Sequence, residues 1–328
     1  MLELLLAAAL AAPAPPCRGG ETIFQEGPLR IFGVHYRDAD EFGWYEFACR
    51  NGRKRAEVGG HGFSTGVASV DTPAYALGGS RYLGSYWTSD SEGGPDAHFE
   101  VTDLRTGRAV AFLNTAFGDG VPSFRVAADG TLVAGGAIKR RGRKPVRIGG
   151  RDPALTGGTV YWSAGAQARS TVLPGVGGGE SRMFEPVRVH RRRGPCISAR
   201  GTTVAAWPHV RVVRRGGKLF ACRDRSSRRI RLNGVPRIAG DRWLLDGERL
   251  IDAKTGRVVT RGVGAPATLL RGGTVAWLDG GRLLLAAPGG APVELSAAAS
   301  ALASGRRTIY WTEAGQPRSF ATSASKPG

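Results

Sequence analysis

This chain is written twice. Residues 17–190 and 191–328 carry the same signposts in the same order, and a duplicated series of short phrases confines the fold to architectures that repeat one small unit. Each half opens near a cysteine, Cys17 or Cys196, and then presents Phe47-Ala48-Cys49-Arg50 or Phe220-Ala221-Cys222-Arg223. Next come Asp103-Leu104-Arg105-Thr106-Gly107-Arg108 and Asp252-Ala253-Lys254-Thr255-Gly256-Arg257. Both halves close on one phrase, Thr159-Val160-Tyr161-Trp162-Ser163 and Thr308-Ile309-Tyr310-Trp311-Thr312.

Turn residues followed by apolar runs mark units starting near residues 22, 80, 129, 157, 201, 240, 272 and 305. That is four per half. Within residues 236–262 the pattern resolves into four short strands, at 236–239, 242–245, 249–252 and 257–260, so each unit reads as an antiparallel meander. The Asp-x-x-Thr-Gly-Arg phrase falls between the third and fourth strands. Asp and Thr accept backbone hydrogen bonds there, and Gly supplies positive φ. Tyr86-Trp87, Tyr161-Trp162, Trp243, Trp277 and Tyr310-Trp311 fall on second strands, where large rings fill the space between adjacent sheets.

Four-stranded meanders arrayed about an axis make an all-β propeller, which leaves only short, protected sheet edges. The count predicts eight blades in two duplicated halves, or seven if the irregular first unit (17–60) and the aromatic-poor third do not both form blades. Closure is expected to pair the strand around Thr22 to Gln25 with the last unit, which shows only three clear strands. The run from Leu250 to Val259 resembles the repeat of quinoprotein-type propellers, and Tyr86-Trp87-Thr88-Ser89-Asp90 and Tyr310-Trp311-Thr312-Glu313 are similar to YWTD-type blades. The resemblance covers single blades and implies a fold without an activity.

Residues 1–16 read as a signal peptide and short linker. The apolar run Leu4 to Ala12 is too short to span a bilayer, and Ala9-Leu10-Ala11 offers small residues for cleavage, although Glu3 stands where a positive charge is usual. Four cysteines allow three pairings, and the duplication selects Cys17 with Cys49 and Cys196 with Cys222. Such bridges persist in an oxidising compartment, so a secreted, extracellular or cell-envelope location is expected. A lipid on Cys17 is a competing reading, disfavoured by Pro15 and Pro16 before it.

The net charge is +19, and only six of the 46 basic residues are lysine, as a GC-rich bacterial genome would produce. Basic clusters recur at 50–55, 139–144, 188–193, 211–218 and 223–231. Gathered on one rim they would attract an anionic polymer; dispersed, they are solvated surface. No aromatic interleaving marks a dedicated nucleic-acid platform.

Gly62-Phe63-Ser64-Thr65-Gly66, after His61, matches the pattern of a hydrolase nucleophile, but the strand-to-helix context is missing. The hairpin from Asp90 to His98 gathers Asp90, Glu92, Asp96 and His98. Asp90, Glu92 and Asp96 are the residues that could hold Ca²⁺, and all four are the catalytic candidates if the chain is an enzyme. His35, His190 and His209 are scattered without zinc spacing, and no cofactor is called for. The leading expectation is a monomeric, non-catalytic binding or scaffold module without a transmembrane span or a specific nucleic-acid target. Its partner would be an envelope or extracellular protein or an anionic polymer. The alternative is a polysaccharide hydrolase or lyase with its site at the axial channel.

Overall fold

The computed structural model describes residues 17, 19–26, 28–37, 41–64, 68–90, 95–115, 122–176, 181–184, 201–207, 209–224, 226–240 and 242–322, without the side chains of 41, 53–55, 63–64, 68–71, 73, 182 and 184. All regular structure among them is β-strand. The architecture is all-β and propeller-type, a succession of small antiparallel meanders at residues 21–64, 68–115, 124–147, 151–172, 202–232, 237–260, 267–296 and 299–321. The fourth and eighth have three strands each. The extra strand Arg182–Phe184 returns to pair with Ala68–Gly78.

The sixth meander shows how the sequence sets these strands. Arg237–Ala239, Trp243–Asp246, Arg249–Asp252 and Arg257–Thr260 stand close to where the alternation of apolar and turn residues placed them. Gly247 and Gly256 take φ of 59° and 71° at the reversals, a region in which a Cβ is strained. The first unit, irregular in sequence, forms a complete meander with long strands, up to twelve residues in Arg53–Ser64. The third forms from strands of two or three residues.

First strands touch first strands from the second meander round to the sixth. Phe124–Val126 contacts Ala68–Gly78 and Arg151–Thr156; Arg151–Thr156 meets Ala299–Ser304; and Ala299–Ser304 meets Ala267–Leu269, which meets Arg237–Ala239. The order around the ring is therefore one, two, three, four, eight, seven, six, five. It closes where Glu21–Glu26 pairs with Thr202–Trp207, through Gln25 opposite Ala206 and Glu26 opposite Ala205. This corrects the expected closure onto the last unit. The N-terminal strand pairs with its own counterpart in the second half, so the halves meet head to head.

The two seams are reciprocal. At the first, Phe24 packs edge-on against Trp207 at 5.2 Å, and the strands run antiparallel about Gln25 and Ala206. At the other, Tyr161 and Tyr310 stack at 6.0 Å. The Tyr161 hydroxyl shares a 2.8 Å hydrogen bond with Thr312 Oγ1, and Ser163 Oγ shares one of 2.8 Å with the Tyr310 hydroxyl. Equivalent residues exchange equivalent bonds, as across a two-fold axis. Asp152 reinforces this seam by accepting the backbone N–H groups of Arg306 and Arg307.

Meanders five and one thus supply eight neighbouring strands of a thirteen-stranded sheet, which runs on into meander two where Arg53–Ser64 pairs with Ala68–Gly78. One face covers a core shared with meanders two and six, including Phe24, Ile31, Val212, Ile230, Tyr75 and Leu244. The Asp-x-x-Thr-Gly-Arg turns behave as expected and also clamp the meanders. Asp103 takes two bonds from Arg81, at 3.0 and 2.6 Å, and Asp252 takes two from Arg242, at 2.9 and 2.8 Å. Tyr86, Tyr161, Trp162, Trp243, Trp277, Tyr310 and Trp311 are buried as expected. Trp87 is the correction: it is half-buried and points away from the core that Tyr86 joins, because strand neighbours face opposite sides.

Candidate binding surface

Asp90 and Asp96 are exposed on the second and third strands of meander two, where Asp96 stands opposite Ser89 and Asp90 opposite Ser69. Asp96 accepts the N–H of Ala97 at 2.9 Å. Glu92 lies outside the described residues. His98 is half-buried between Trp87, stacked at 6.0 Å, and Phe112 at 4.7 Å. Burial holds its imidazole below the usual range, against the pull of Glu100 and Asp96. No group of three or more His, Cys, Asp or Glu able to hold a metal occurs among the described residues.

Ser64 is the last residue of Arg53–Ser64, a strand whose register shifts opposite Glu46 and Phe47; Gly66 lies outside the described residues. His61 stacks on Trp44 at 4.7 Å. The Trp44 indole donates to Glu46 at 3.1 Å, and Glu46 also accepts from the Tyr75 hydroxyl of meander two. Glu46 and Tyr75 are both buried, so this network ties two meanders together. Sequence reading passed over it because neither residue belongs to a motif.

The outer face of the eight strands from meanders five and one is different in kind. Paired residues share a face, and the register runs Arg229, Cys222, Arg211, Ala206, Gln25, Arg30, Cys49, Arg55 across all eight strands. At one residue per strand this row spans about 34 Å. Arg229, Arg231, Arg215 and Lys218 on this face are exposed, with Phe220 half-buried among them. Two of the five basic clusters therefore contribute to one surface, that of the fifth meander, whose sole carboxylate is Asp224. Asp224 lies 3.7 Å from His209.

Arg30 and Arg211 occupy equivalent places in the row. Arg30 donates to Thr22 Oγ1 and to the carbonyls of Cys17, Gly19 and Gly20, and Arg211 donates to Thr203 Oγ1. Burial lowers both guanidinium pKa values from their ordinary range. They brace the sheet, while the exposed cations remain turned to solvent. Cys17 and Cys49 are joined as expected, with Cα atoms 5.9 Å apart, which leaves no Cys17 thiol for a lipid. Cys222 is also disulfide-bonded. Cys196, its expected partner, and the leader lie outside the described residues.

On the meander-one half of the face the row gives way to rings. Arg30 lies over Phe32 at 4.7 Å, Phe32 contacts Phe47 at 5.9 Å, Phe47 contacts Tyr45 at 6.3 Å, and Tyr45 stacks on Tyr36 at 4.5 Å. Tyr45 remains 42% exposed. Gly62 lies beneath this pair, where a Cβ would collide with the Tyr36 phenol. Cations and rings thus occupy two regions of one sheet face, visible only once the halves are paired.

No family model and no curated protein matches the sequence. Among solved structures the chain is similar to BamB from Moraxella catarrhalis, at 13% identity and a TM-score of 0.24, over 92% of this chain and 81% of that one. It is also similar to the C-terminal WD40 domain of Sif2, at 12% identity and 0.25 over 95% and 98%. Kluyveromyces lactis Hsv2 matches at 10% identity and 0.23 over 90% of each chain. Scores this low carry no argument about function, and the fold assignment rests on the strand pairings above. Among the described residues no helix is long and apolar enough to cross a membrane.

Proposed function

We propose that this chain is an exported, non-catalytic binding module that holds an anionic macromolecular partner against the outer face of the sheet formed by meanders five and one. The observation that carries the reading is the exposed group Arg215, Lys218, Arg229 and Arg231 on one face of one sheet. Like charges fixed on a rigid surface raise the local concentration of a polyanion and speed its encounter. The disulfides and the apolar leader support export, and the closed ring supports action as a monomeric scaffold.

The test is titration of the full-length protein with inorganic polyphosphate at several salt concentrations. Binding should weaken steeply with salt, and the triple variant Lys218→Ala, Arg229→Ala, Arg231→Ala should lower the log–log salt slope by about one for each phosphate no longer neutralised. Binding indifferent to ionic strength, or a triple variant that binds as the parent does, overturns the proposal.

A further inference from the structure

The polyanion reading leaves the ring ladder of meander one without a task, and those rings share the face that carries the cations. We infer that the ligand of this surface is an acidic polysaccharide, its acid groups held by Arg229, Arg231 and Lys218 and a sugar ring seated on Tyr45. The inference rests on the reading under Proposed function and adds the chemistry of the chain being bound.

Three observations carry it. The first is co-location. Tyr45, Phe47 and Cys49 alternate along one strand and so share a face, and the pairings of Cys49 with Arg30, Arg30 with Gln25, Gln25 with Ala206 and Ala206 with Arg211 carry that face into the cationic meander. The strand bearing Lys218 and the strand bearing Tyr45 are five steps apart in the sheet, about 24 Å. The two residues stand four positions to opposite sides of the row, which adds about 27 Å along the strands, with Arg30 and the Cys17, Gly19 and Gly20 carbonyls it bonds in between. One ligand can engage both only if it is an extended polymer.

The second is ring geometry. Tyr36 and Tyr45 lie 25° from parallel at 4.5 Å, so each already covers one face of the other. This closed pair offers an outer ring face with a hydroxyl at its edge, a platform for the apolar face of a sugar. It is not an open slot for an unstacked base, and single-strand binders use series of separate rings to stack successive bases. Tyr45 is exposed while Phe47 and Phe32 below it are buried, so the platform is held up by its own core.

The third is compartment. The Cys17–Cys49 bridge lies on this same face and persists where thiols are oxidised, outside the cytosol. Acidic polysaccharides are ring-bearing polyanions found in that environment. The opposing charge on the face itself is slight: Glu57, opposite Phe47, is an exposed carboxylate there.

The experiment compares three probes on the full-length protein by calorimetry: polygalacturonate, which has charges and sugar rings; polyphosphate, which has charges alone; and oligothymidylate, which has charges and bases. Tyr45→Ala should weaken polygalacturonate roughly fivefold, the value of one aromatic stacking partner, and leave polyphosphate within about twofold. Tyr45→Phe keeps the ring and should bind polygalacturonate as the parent does. Circular dichroism spectra superimposable on the parent's confirm that each variant is folded.

Unchanged polygalacturonate affinity in Tyr45→Ala overturns the inference, as does an equal loss for polyphosphate. Tighter binding of oligothymidylate than of polygalacturonate, abolished by Tyr45→Ala, overturns it in favour of a nucleic acid. Each of these results leaves the general polyanion reading standing. That reading fails separately, if Arg229→Ala with Arg231→Ala changes the binding of none of the three probes.

Discussion

Tyr310→Phe removes one oxygen from the seam that joins meanders four and eight, and its consequence can be worked out from the bonds that oxygen makes. The Tyr310 side chain is fully buried. Its hydroxyl donates to the Asp152 carbonyl at 2.9 Å and shares a 2.8 Å bond with Ser163. Phenylalanine preserves the ring contact with Tyr161 but leaves a buried carbonyl and a serine hydroxyl without that partner. The loss should be about 2 kcal/mol. Tyr161→Phe removes one shared bond, to Thr312, and should cost about 1 kcal/mol. The two hydroxyls serve different partners, so the double variant should lose about 3 kcal/mol, near the sum. For the 265 described residues the unfolding entropy is about 0.56 kcal/mol per kelvin, which converts these losses to about 3.5, 2 and 5 °C in Tm. The assay is thermal unfolding followed by circular dichroism, with the exposed Val293→Ala as a control expected to stay near the parent. If Tyr310→Phe and the double variant both melt at the parent's Tm, the seam does not hold the halves together and the ring order given by the strand contacts is wrong.

Two further outcomes follow from the same framework. The Asp103 carboxyl is held below its ordinary range chiefly by its hydrogen bond from Arg81; burial pushes the Asp252 carboxyl up, but Arg242, Lys254 and Thr255 together outweigh it and hold that group low as well. A folded-state pKa below the unfolded value of about 3.9 means stability that is complete above that pH and is lost as the pH falls through the lowered values. The double variant Arg81→Met with Arg242→Met should therefore show a weaker dependence of urea midpoint on pH below about 4; an unchanged acid limb would reject the clamps. Cys17 and Cys49 are 32 residues apart, and opening that loop with Cys17→Ser and Cys49→Ser should cost about 4 kcal/mol by the chain-entropy estimate. A variant whose urea midpoint equals the parent's would show that the bridge constrains nothing.

Much of this molecule is local, and local physics is written in the chain. The strands of the sixth meander, the Asp-x-x-Thr-Gly-Arg reversals and the Cys17–Cys49 bridge all depend on residues within one or two turns of one another, or on a phrase that recurs, so sequence alone determined them. The Arg81 and Arg242 clamps were within reach, since each arginine stands at the start of a second strand in both halves, but turn chemistry already accounted for Asp103 and Asp252 without them.

Tertiary structure decided the rest. Which unit sits beside which depends on the pairing of Gln25 with Ala206 and of Tyr161 with Tyr310, partners about 180 and 150 residues apart whose mutual fit is set by shape and not by any periodicity. The binding surface inherits that choice. Arg229 and Tyr45 belong to different halves and to no common motif, and they share a face only because two copies of one strand pair with each other, carrying a single pleat across eight strands.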